Sequence, residues 1–444
     1  MAKDKKAAKE LTIEEKLAQA LVPVEEQPYK IPENWCWTYM GIVAQWGSGG
    51  TPSRKKPEYY EGRIPWVKTG ELNNEYIYDT EEKITNEAVA NSSAKLFPVN
   101  TVVIAMYGAT IGKVGILGIE AATNQACACG VCSNGLNYKY LFYYAYFQKN
   151  VFIRMAKGGA QPNISQDIIK NYPIPIPPLD EQIRTINCIE SIFSKLDEAK
   201  EKAQAVVDGF ELRKSAILYK AFTGELTKQW REEHGLTLES WKNTKLGDTI
   251  RLLSGQDFKP EQYNNKNDGV PYITGASNFD ETHVVINRWT PVPSVIAKKG
   301  DILLVCKGSG YGKTIIADFD KAHIARQIMA IRTNDNIINE YLLFYFRTQY
   351  EYFRNNGQGL IPGISRKVVL EMQVRIPTKN EQVYMVEQVK SIFNKEILAR
   401  EAAKKVIDQI GIIKQAVLAR AFHGELGTND LTEEAAIELL KLVL

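Results

Sequence analysis

The sequence predicts a mixed α/β (α+β) protein in which two similar lobes are joined by two long antiparallel coiled-coil spacer helices, as a pseudo-two-fold tandem repeat. Three observations predict this fold class: a long internal repeat, two long proline-free stretches with apolar residues at helical spacing, and a glycine-rich turn that follows an apolar run in each copy. The chain has 444 residues, which is enough for two or three domains.

The internal repeat is the strongest of these signals. Residues 181–226 align without gaps with residues 381–426, and 19 of the 46 positions are identical. Several of the other positions exchange one apolar residue for another. We infer that the chain arose by tandem duplication, and that each copy is an α/β lobe followed by a long helix.

The glycine-rich turn resembles a nucleotide-binding phosphate loop in one copy only. The segment "KGSGYGKT" (Lys307–Thr314) is one residue short of the spacing that cradles phosphates. In the other copy, Val114 stands where a magnesium-binding hydroxyl would be needed. Both copies continue with a strand pattern rather than a helix. We therefore expect strand, turn, strand, and no ATP turnover by this chain.

Three of the six cysteines form the cluster Cys127, Cys129 and Cys132, for which a zinc site is conceivable. The paired Cys/His spacing of zinc sites is missing, however. Aligning Gln125 with Gln327 places Cys127 on Met329 and Cys129 on Ile331. The cysteines are therefore predicted to be apolar core residues.

The two long helices are predicted from apolar residues at spacings of three and four. Glu181–Phe222 has no proline and a single glycine. A helix of about 40 residues spans roughly 60 Å, and it needs a partner for its apolar stripe. We expect the two helices to pack antiparallel; the alternative is that each packs on its own lobe. The predicted spacer and partner-binding residues are Phe193, Leu196, Val206, Phe222, Phe393, Val406, Ile410 and Phe422.

Prolines separate each lobe from its helix, at Pro173–Pro178 and around Pro377. Aromatic helices are predicted at Tyr138–Gln148 and Glu340–Tyr352. The net charge is only +3, but residues 241–379 carry 19 Lys and Arg against 13 Asp and Glu, which is compatible with a phosphate-facing surface. The charged N-terminus lacks a signal-peptide core, and no apolar run could span a bilayer, so a cytoplasmic location is expected.

The sequence contains no recognisable catalytic motif, such as N/D-P-P-Y/F for adenine methylation or G-x-S-x-G. A binding protein is therefore expected. Two related lobes on a stiff spacer suit duplex DNA, whose half-sites repeat with the helical turn. Lys and Arg can contact phosphate or guanine, and Asn and Gln can read adenine. The candidate DNA-binding residues are Lys68, Thr69, Tyr107, Lys113, Asn124, Gln125, Lys157 and Gln161 in one copy, and Thr274, Lys307, Lys313, Arg326, Gln327, Gln358 and Arg366 in the other.

Several of these segments resemble the specificity (S) subunit of type I restriction-modification systems. They are the opening of the first lobe (Ile31–Leu72), "GATIGK" (Gly108–Lys113), "PLDEQ" (Pro178–Gln182) and the "AF-x-GEL" ends at residues 221–226 and 421–426. The resemblance covers nearly the whole chain and includes the order lobe, helix, lobe, helix.

The resemblance implies a subunit that is not an enzyme alone. Each target-recognition lobe would read one half of a bipartite, asymmetric DNA sequence. The helices would set the gap and dock two methyltransferase subunits, and two restriction/translocase subunits would complete the complex. S-adenosylmethionine and ATP/Mg would lie on those partners, with no cofactor or metal in this chain. The implied segments are an N-terminal segment (1–30), recognition domain 1 (31–178), a central spacer helix (179–230), recognition domain 2 (231–377), a distal spacer helix (378–427) and a C-terminal tail (428–444).

The resemblance also implies a circular pseudo-symmetry that brings the segment Leu11–Val24 near the tail Leu431–Leu444. A competing hypothesis from the residues alone is a non-catalytic coiled-coil scaffold that binds proteins rather than DNA. The two are separated by whether duplex DNA is bound when partner subunits are present.

Overall fold

The computed structural model describes residues 11–73, 75–156, 163–280, 282–308, 310–355 and 363–444. The chain forms two compact units. The first unit runs to Lys202 and also includes Val406–Leu444, and the second is Ala203–Lys405. Each unit therefore contains one lobe and a portion of both long helices. Among the described helices, none is both long and apolar enough to cross a lipid bilayer.

The first lobe alternates short strands and helices. Its elements are α1 Ile13–Ala20, β1 Cys36–Tyr39, α2 Met40–Val43, β2 Ala44–Ser48, β3 Ile64–Val67, β4 Tyr76–Ile77, β5 Lys83–Ile84, α3 Asn86–Ala90, β6 Leu96–Phe97, β7 Val102–Ala105, β8 Val114–Leu117, β9 Ala121–Thr123, β10 Cys127–Cys132, α4 Tyr138–Phe147, α5 Lys149–Met155, α6 Gln166–Lys170 and β11 Pro173–Ile176.

The rest of the chain repeats this order after the first long helical segment. Its elements are α7 Leu179–Asp208, α8 Phe210–Phe222, α9 Lys228–Glu233, β12 Lys242–Lys245, β13 Ile250–Ser254, β14 Val270–Ile273, β15 Trp289–Thr290, β16 Ile296–Lys298, β17 Ile302–Val305, β18 Thr314–Ile316, β19 Lys321–Ile324, β20 Ile328–Thr333, α10 Asn339–Thr348, α11 Tyr350–Asn355, α12 Arg366–Glu371, β21 Gln373–Ile376, α13 Lys379–Phe422 and α14 Ala436–Val443.

The two lobes share a sheet topology. The first lobe has sheets in the orders β2-β10-β7-β8-β4, β5-β3-β9-β6 and β1-β11, and the second has β13-β20-β17-β18, β15-β14-β19-β16 and β12-β21. Both lobes contain an equivalent parallel pair, β3 with β9 and β14 with β19, and the first lobe has a second parallel pair, β4 with β8. The predicted mixed α/β class, the duplication and the aromatic helices (α4 and α10) are confirmed.

Apolar faces of the aromatic helices build the two largest cores. In the first unit, Tyr140 and Tyr144 of α4 are buried with Phe422 of α13. In the second unit, Tyr341 of α10 is buried and contacts Phe222 of α8. The end of each long helical segment thus packs on the lobe of the other copy. Both segments end in the same "AF" pair, at residues 221–222 and 421–422.

The long helices run antiparallel within each unit, as predicted. In the first unit, Lys414 of α13 forms an ion pair with Asp197 of α7 at 2.6 Å. In the second unit, Arg213 of α8 pairs with Glu396 of α13 at 2.6 Å. In the second unit, Arg400 of α13 also lies 4.6 Å from the ring of Phe210, and Lys214 lies 5.9 Å from the ring of Phe393. Rising positions on α8 therefore meet falling positions on α13, which defines the antiparallel direction in that unit.

The first long segment is helical along its predicted length, with a local irregularity at Gly209 that separates α7 from α8. Gly209 N still donates to Ala205 O, and Arg213 N donates to Gly209 O, both at 3.0 Å. Glycine costs about 1 kcal/mol in a helix interior, but α13 runs through Gly411 without interruption, so glycine alone does not explain the irregularity. The repeat-equivalent helix α13 is continuous over 44 residues.

Leu11–Val24 and Leu431–Leu444 both belong to the first unit, and their predicted proximity is confirmed. Thr12 caps α1 in a capping box with Glu15, which sets the start of that helix. Lys16 Nζ then donates to the main-chain oxygen of Leu444 at 3.0 Å. The terminal helix α14 is thereby anchored beside α1.

The glutamine of the "PLDEQ" motif closes the junction between lobe and helix. Gln182 Nε2 donates to Gly135 O and Pro177 O, and its Oε1 accepts from Asn137 N. Gln382 makes the equivalent three hydrogen bonds in the second unit. Because both amides are buried and fully paired, this motif residue is a structural junction.

Candidate nucleic-acid interface

The first lobe brings several loops together where its parallel strands end. The carboxyl ends of β3 and β9 lie side by side, and Asn124 N donates to Val67 O at 2.9 Å. Gly50 N donates to Thr123 O at 2.9 Å, so the loop after β2 joins them. A side chain at Gly49 would meet Thr123 O at 2.0 Å, so glycine is required for this approach. We call the loops 48–51, 67–69, 106–107 and 124–126 the first sheet edge.

The second lobe builds the same edge from different residues. Ala325 N donates to Ile273 O at 2.9 Å, and Gln256 N donates to Ile324 O at 2.9 Å. A side chain at Gly255 would meet Ala325 O at 2.0 Å. We call the loops 254–257, 273–275, 306–307 and 325–327 the second sheet edge.

The glycine-rich turn adjoins each edge as a strand–turn–strand element, as predicted. Gly108 and Gly112 have φ of 67° and 74°, and Gly308 and Gly312 both have 88°. β18 follows the second turn and pairs antiparallel with β17. A phosphate loop needs a helix at that point. The turn that ends at Lys313 is therefore followed by a strand, as the sequence predicted, and not by the helix of a phosphate loop.

Five of the predicted residues of the first lobe lie on the first sheet edge, either with polar partners or exposed to solvent. Lys68 forms ion pairs with Glu81 at 2.9 Å and Glu82 at 3.1 Å, so its charge is already balanced. Asn124 accepts from Ala126 N and stabilises the turn. The remaining members are the exposed Tyr107, the exposed Gln125 and the half-buried Thr69.

The second sheet edge holds most of the predicted residues of its lobe. Thr274 is engaged by Asn278, which accepts from its hydroxyl at 3.1 Å. Arg366 donates to Ser254 Oγ at 2.8 Å. Lys307, Arg326 and Gln327 are exposed there.

The turn lysines each line a groove. Lys113 donates to Asn73 at 2.6 Å and lines a groove of about 940 Å³ with Phe193 and Lys414. Lys313 lines a cavity of about 390 Å³ with Arg347. Lys157, Gln161 and Gln358 fall outside the described residues.

Both units have a groove between the lobe and the long helices, and an ion pair crosses it. The cation lies on the lobe in the first unit and on the long helix in the second. Lys139 pairs with Glu190 at 2.6 Å in the first unit, whereas Glu340 pairs with Lys390 at 3.1 Å in the second. The two grooves therefore differ in charge pattern although their folds match.

The predicted spacer residues serve two different purposes. Phe422 is fully buried between Tyr140, Tyr144 and Phe147, and Phe222 contacts Tyr341 and Tyr345, so these two anchor helices to lobes. The others lie along the helices: Phe393 and Ile410 are buried, Phe193, Leu196 and Val206 are half-buried, and Val406 is exposed.

The register that the sequence suggested for the cysteine strand is wrong by one residue. Cys127 pairs with Ala105, and the residue that pairs with the equivalent Val305 is Ile328. Gln125 therefore corresponds to Arg326, not to Gln327. The second copy has one more residue between β18 and β19 than the first copy has between β8 and β9. No local sequence signal marks this insertion, which explains why the alignment was shifted by one position.

The cysteines themselves are core residues, as predicted. Cys127 and Cys129 are completely buried in β10. Burial raises the pKa of the Cys129 thiol to about 12, which keeps it protonated. Among the described residues, no group of three His, Cys, Asp or Glu side chains is placed to hold a metal ion.

Sequence reasoning missed the residues that support the two edges. Thr51 donates to Gln125 Oε1, and Asp257 pairs with Arg326 at 3.1 Å. His323 is buried and its Nε2 donates to Gln256 O at 2.8 Å. Aligning "SGGT" (48–51) with "SGQD" (254–257) would have been the only sequence signal for Thr51 and Asp257.

The fold and the two edges define a duplicated protein whose lobes share a framework and differ in the side chains that they present. The family model described as "Type I restriction modification DNA specificity domain" matches residues 32–206 and 238–409. The chain belongs to this family and contains its domain twice.

Relatives and solved structures agree with this assignment. The chain is 29% identical over 253 residues to the type I restriction enzyme MjaIX specificity subunit of Methanocaldococcus jannaschii, covering 55% of this chain and 58% of that one. It is 24% identical over 427 residues to the MjaVIII specificity subunit of the same organism, covering 90% and 95%. The chain thus spans little more than half of the first relative and nearly all of the second. The crystal structure of the HsdS subunit from Thermoanaerobacter tengcongensis shares the fold, with a TM-score of 0.68, 21% identity, and coverage of 91% of this chain and 100% of that one.

Proposed function

We propose that this chain is the DNA-reading specificity subunit of a type I restriction-modification complex, in which each lobe recognises one half of a bipartite, asymmetric target. The observation that carries the proposal is the pair of sheet edges. They are built on one topology, yet Gln125 stands in one where Arg326 stands in the other. A protein that read two identical half-sites would keep the same side chains in both lobes.

Membership of the family and the names of its relatives support the DNA-reading role. The lobes carry exposed polar side chains, Tyr107, Gln125 and Lys307 among them, at loops that converge on one edge. Such loops can enter a DNA groove while the sheet holds them rigidly. In this role the chain positions DNA for its partners and carries out no reaction itself.

The helices are proposed to set the gap between half-sites and to dock the partner subunits. Exposed apolar side chains on the helices support docking: Leu212 is 76% exposed and Leu398 65% exposed in the second unit, and Ile412 is 70% exposed in the first. Exposed apolar groups of this size on one pair of helices are typical of protein interfaces. The partners would be two methyltransferase subunits, which bring S-adenosylmethionine, and two restriction subunits, which bring ATP and Mg.

The test is co-expression with the cognate methyltransferase subunits in a host that lacks adenine methylation, followed by long-read sequencing. One split motif should carry methylated adenines in both strands. Methylation at scattered adenines, or its complete absence from an assembled complex, would refute the role. A gel shift at low salt with and without the methyltransferase subunits separates this role from that of a protein scaffold, which would not retard DNA.

A further inference from the structure

We propose that Gln125 and Arg326 are the base-reading residues at one equivalent position of the two lobes, Gln125 for an adenine in one half-site and Arg326 for a guanine in the other. This inference rests on the proposed function and adds the chemistry of one base pair in each half-site.

The equivalence of the two positions follows from strand register. Cys127 pairs with Ala105, and Ile328 pairs with the equivalent Val305. The same turn precedes each strand, because Cys127 N donates to Asn124 O at 3.2 Å and Ile328 N donates to Ala325 O at 2.9 Å. The residue two positions before the strand is Gln125 in one lobe and Arg326 in the other, and both are exposed.

Each of these side chains is held by a residue that is also equivalent. Ser48 pairs with Ala128, and Ser254 pairs with the equivalent Met329, so Thr51 corresponds to Asp257. The supporting residue changes with the residue that it supports: a hydroxyl accompanies the amide, and a carboxylate accompanies the guanidinium.

The contact of Arg326 orients it for a guanine. Asp257 Oδ2 lies 3.1 Å from Arg326 Nε, and Asp257 Oδ1 accepts from Arg326 N at 3.0 Å. The carboxylate thus holds the Nε edge of the guanidinium, while the side chain stays 68% exposed. The two terminal amino groups are the donors that match O6 and N7 of guanine.

The contact of Gln125 orients it for an adenine. Thr51 Oγ1 donates to Gln125 Oε1, which holds the amide plane by one acceptor position. The second lone pair of Oε1 and the Nε2 donors are the pattern that matches N6 and N7 of adenine. A phosphate contact would favour a cation in both lobes, whereas Gln125 is neutral.

The loops that carry Thr51 and Asp257 are held by a hydrogen bond to a main-chain carbonyl, which stands at the equivalent position in both lobes. Trp66 Nε1 donates to Gly50 O at 3.0 Å in the first lobe, and His323 Nε2 donates to Gln256 O at 2.8 Å in the second. Both donors are buried. Trp66 and His323 are therefore positioning residues, which preorganise the supporting loops before DNA binds.

The experiment uses the full chain co-expressed with its methyltransferase subunits, and reads the motif by long-read sequencing. Arg326→Ala should relax one G·C pair in one half-site, and Gln125→Ala should relax one A·T pair in the other half-site. Asp257→Asn should relax the same position as Arg326→Ala to a smaller extent. Competition binding by the assembled complex should show discrimination at that base pair falling by roughly 5- to 150-fold, the range for one bidentate contact.

Two controls in the same lobe separate base reading from other effects. Arg251→Ala, an exposed arginine of β13, should leave both motif and affinity unchanged. Lys307→Ala should weaken binding to all duplexes alike and reduce the salt dependence. Gel filtration with the methyltransferase subunits checks that each variant assembles.

The outcomes are distinguishable. A wild-type split motif that keeps every position in Arg326→Ala and Gln125→Ala overturns the inference and leaves the proposed function standing, as does a loss of affinity that is equal for all duplexes. Absence of any split motif with the wild-type complex overturns the proposed function, and this inference with it.

Discussion

Trp35 donates a hydrogen bond of 2.7 Å from its indole Nε1 to Oε2 of Glu181, and both side chains are buried. The repeat carries the same pair, with Trp241 Nε1 donating to Glu381 Oε2 at 3.0 Å. The acid of the "PLDEQ" motif therefore fastens the start of each long helix to the tryptophan that precedes the first strand of its lobe.

The surroundings of the two carboxylates differ. Glu181 accepts a further hydrogen bond from Asn429 Nδ2 at 2.9 Å, in the C-terminal tail. Glu381 instead pairs with the buried guanidinium of Arg231 at 2.7 Å. One junction is therefore closed by a neutral amide and the other by an ion pair, which gives the two sites different responses to mutation and pH.

Glu381→Ala is expected to destabilise the second unit by about 3–5 kcal/mol, because the buried Arg231 would lose its counter-charge. The measurement is the midpoint of thermal unfolding. Glu387→Ala, an exposed change on the same helix, is the control and should change little. The double variant Arg231→Met with Glu381→Leu should recover much of the loss; equal midpoints for Glu381→Ala and the control would contradict the prediction.

The stability of the first unit should depend on the ionisation of Glu181. Burial raises the pKa of this carboxyl above its ordinary 4.5, against the opposing effect of its hydrogen-bond donors. A raised pKa in the folded state means that the stabilising contribution is present below pH 4.5 and is lost as pH rises through the folded pKa. Unfolding midpoints of Glu181→Gln and wild type, compared from pH 4.5 to pH 8, should shift in favour of the glutamine variant as pH rises. A difference in unfolding midpoint that stays constant, or that shifts in favour of wild type as pH rises, would contradict this prediction.

His323 should make the second sheet edge sensitive to acid. Burial lowers the pKa of its imidazole below the ordinary 6.5, and Nδ1 accepts from Val295 N at 3.2 Å. Stability is therefore fully present above pH 6.5 and is lost as pH falls through the folded pKa, since a protonated Nδ1 can no longer accept. DNA binding by the assembled complex should weaken towards pH 5 in wild type. His323→Gln should show a flatter pH profile, and an identical profile would count against the role of His323.

Phe422 and Phe222 occupy equivalent positions, but replacing them by alanine should lower the free energy of unfolding by different amounts. Phe422 is completely buried among three aromatic rings, so Phe422→Ala should cost about 3–5 kcal/mol. Phe222 is half-buried and contacts two rings, so Phe222→Ala should cost less. Unfolding midpoints of the two variants provide the comparison, which fails if the order is equal or reversed.

The sequence alone predicted the duplication, the two long helices and the α/β class, because periodicity and repetition can be read directly from the order of residues. These patterns failed at Gln125, where one inserted residue moved the alignment by one position, and they did not show the local irregularity of the helix at Gly209. Both failures concern single residues whose effect depends on what packs around them.

The pairing of side chains on the sheet edges was beyond any local pattern. Thr51 meets Gln125 across 74 positions of sequence, and Asp257 meets Arg326 across 69. These contacts exist because the pairing of β3 with β9, and of β14 with β19, places the carboxyl ends of the paired strands at one edge, and this pairing joins residues that are far apart in the sequence. The sequence thus determines the repeated lobes and helices, whereas only the tertiary structure decides which exposed side chains lie next to one another at each sheet edge.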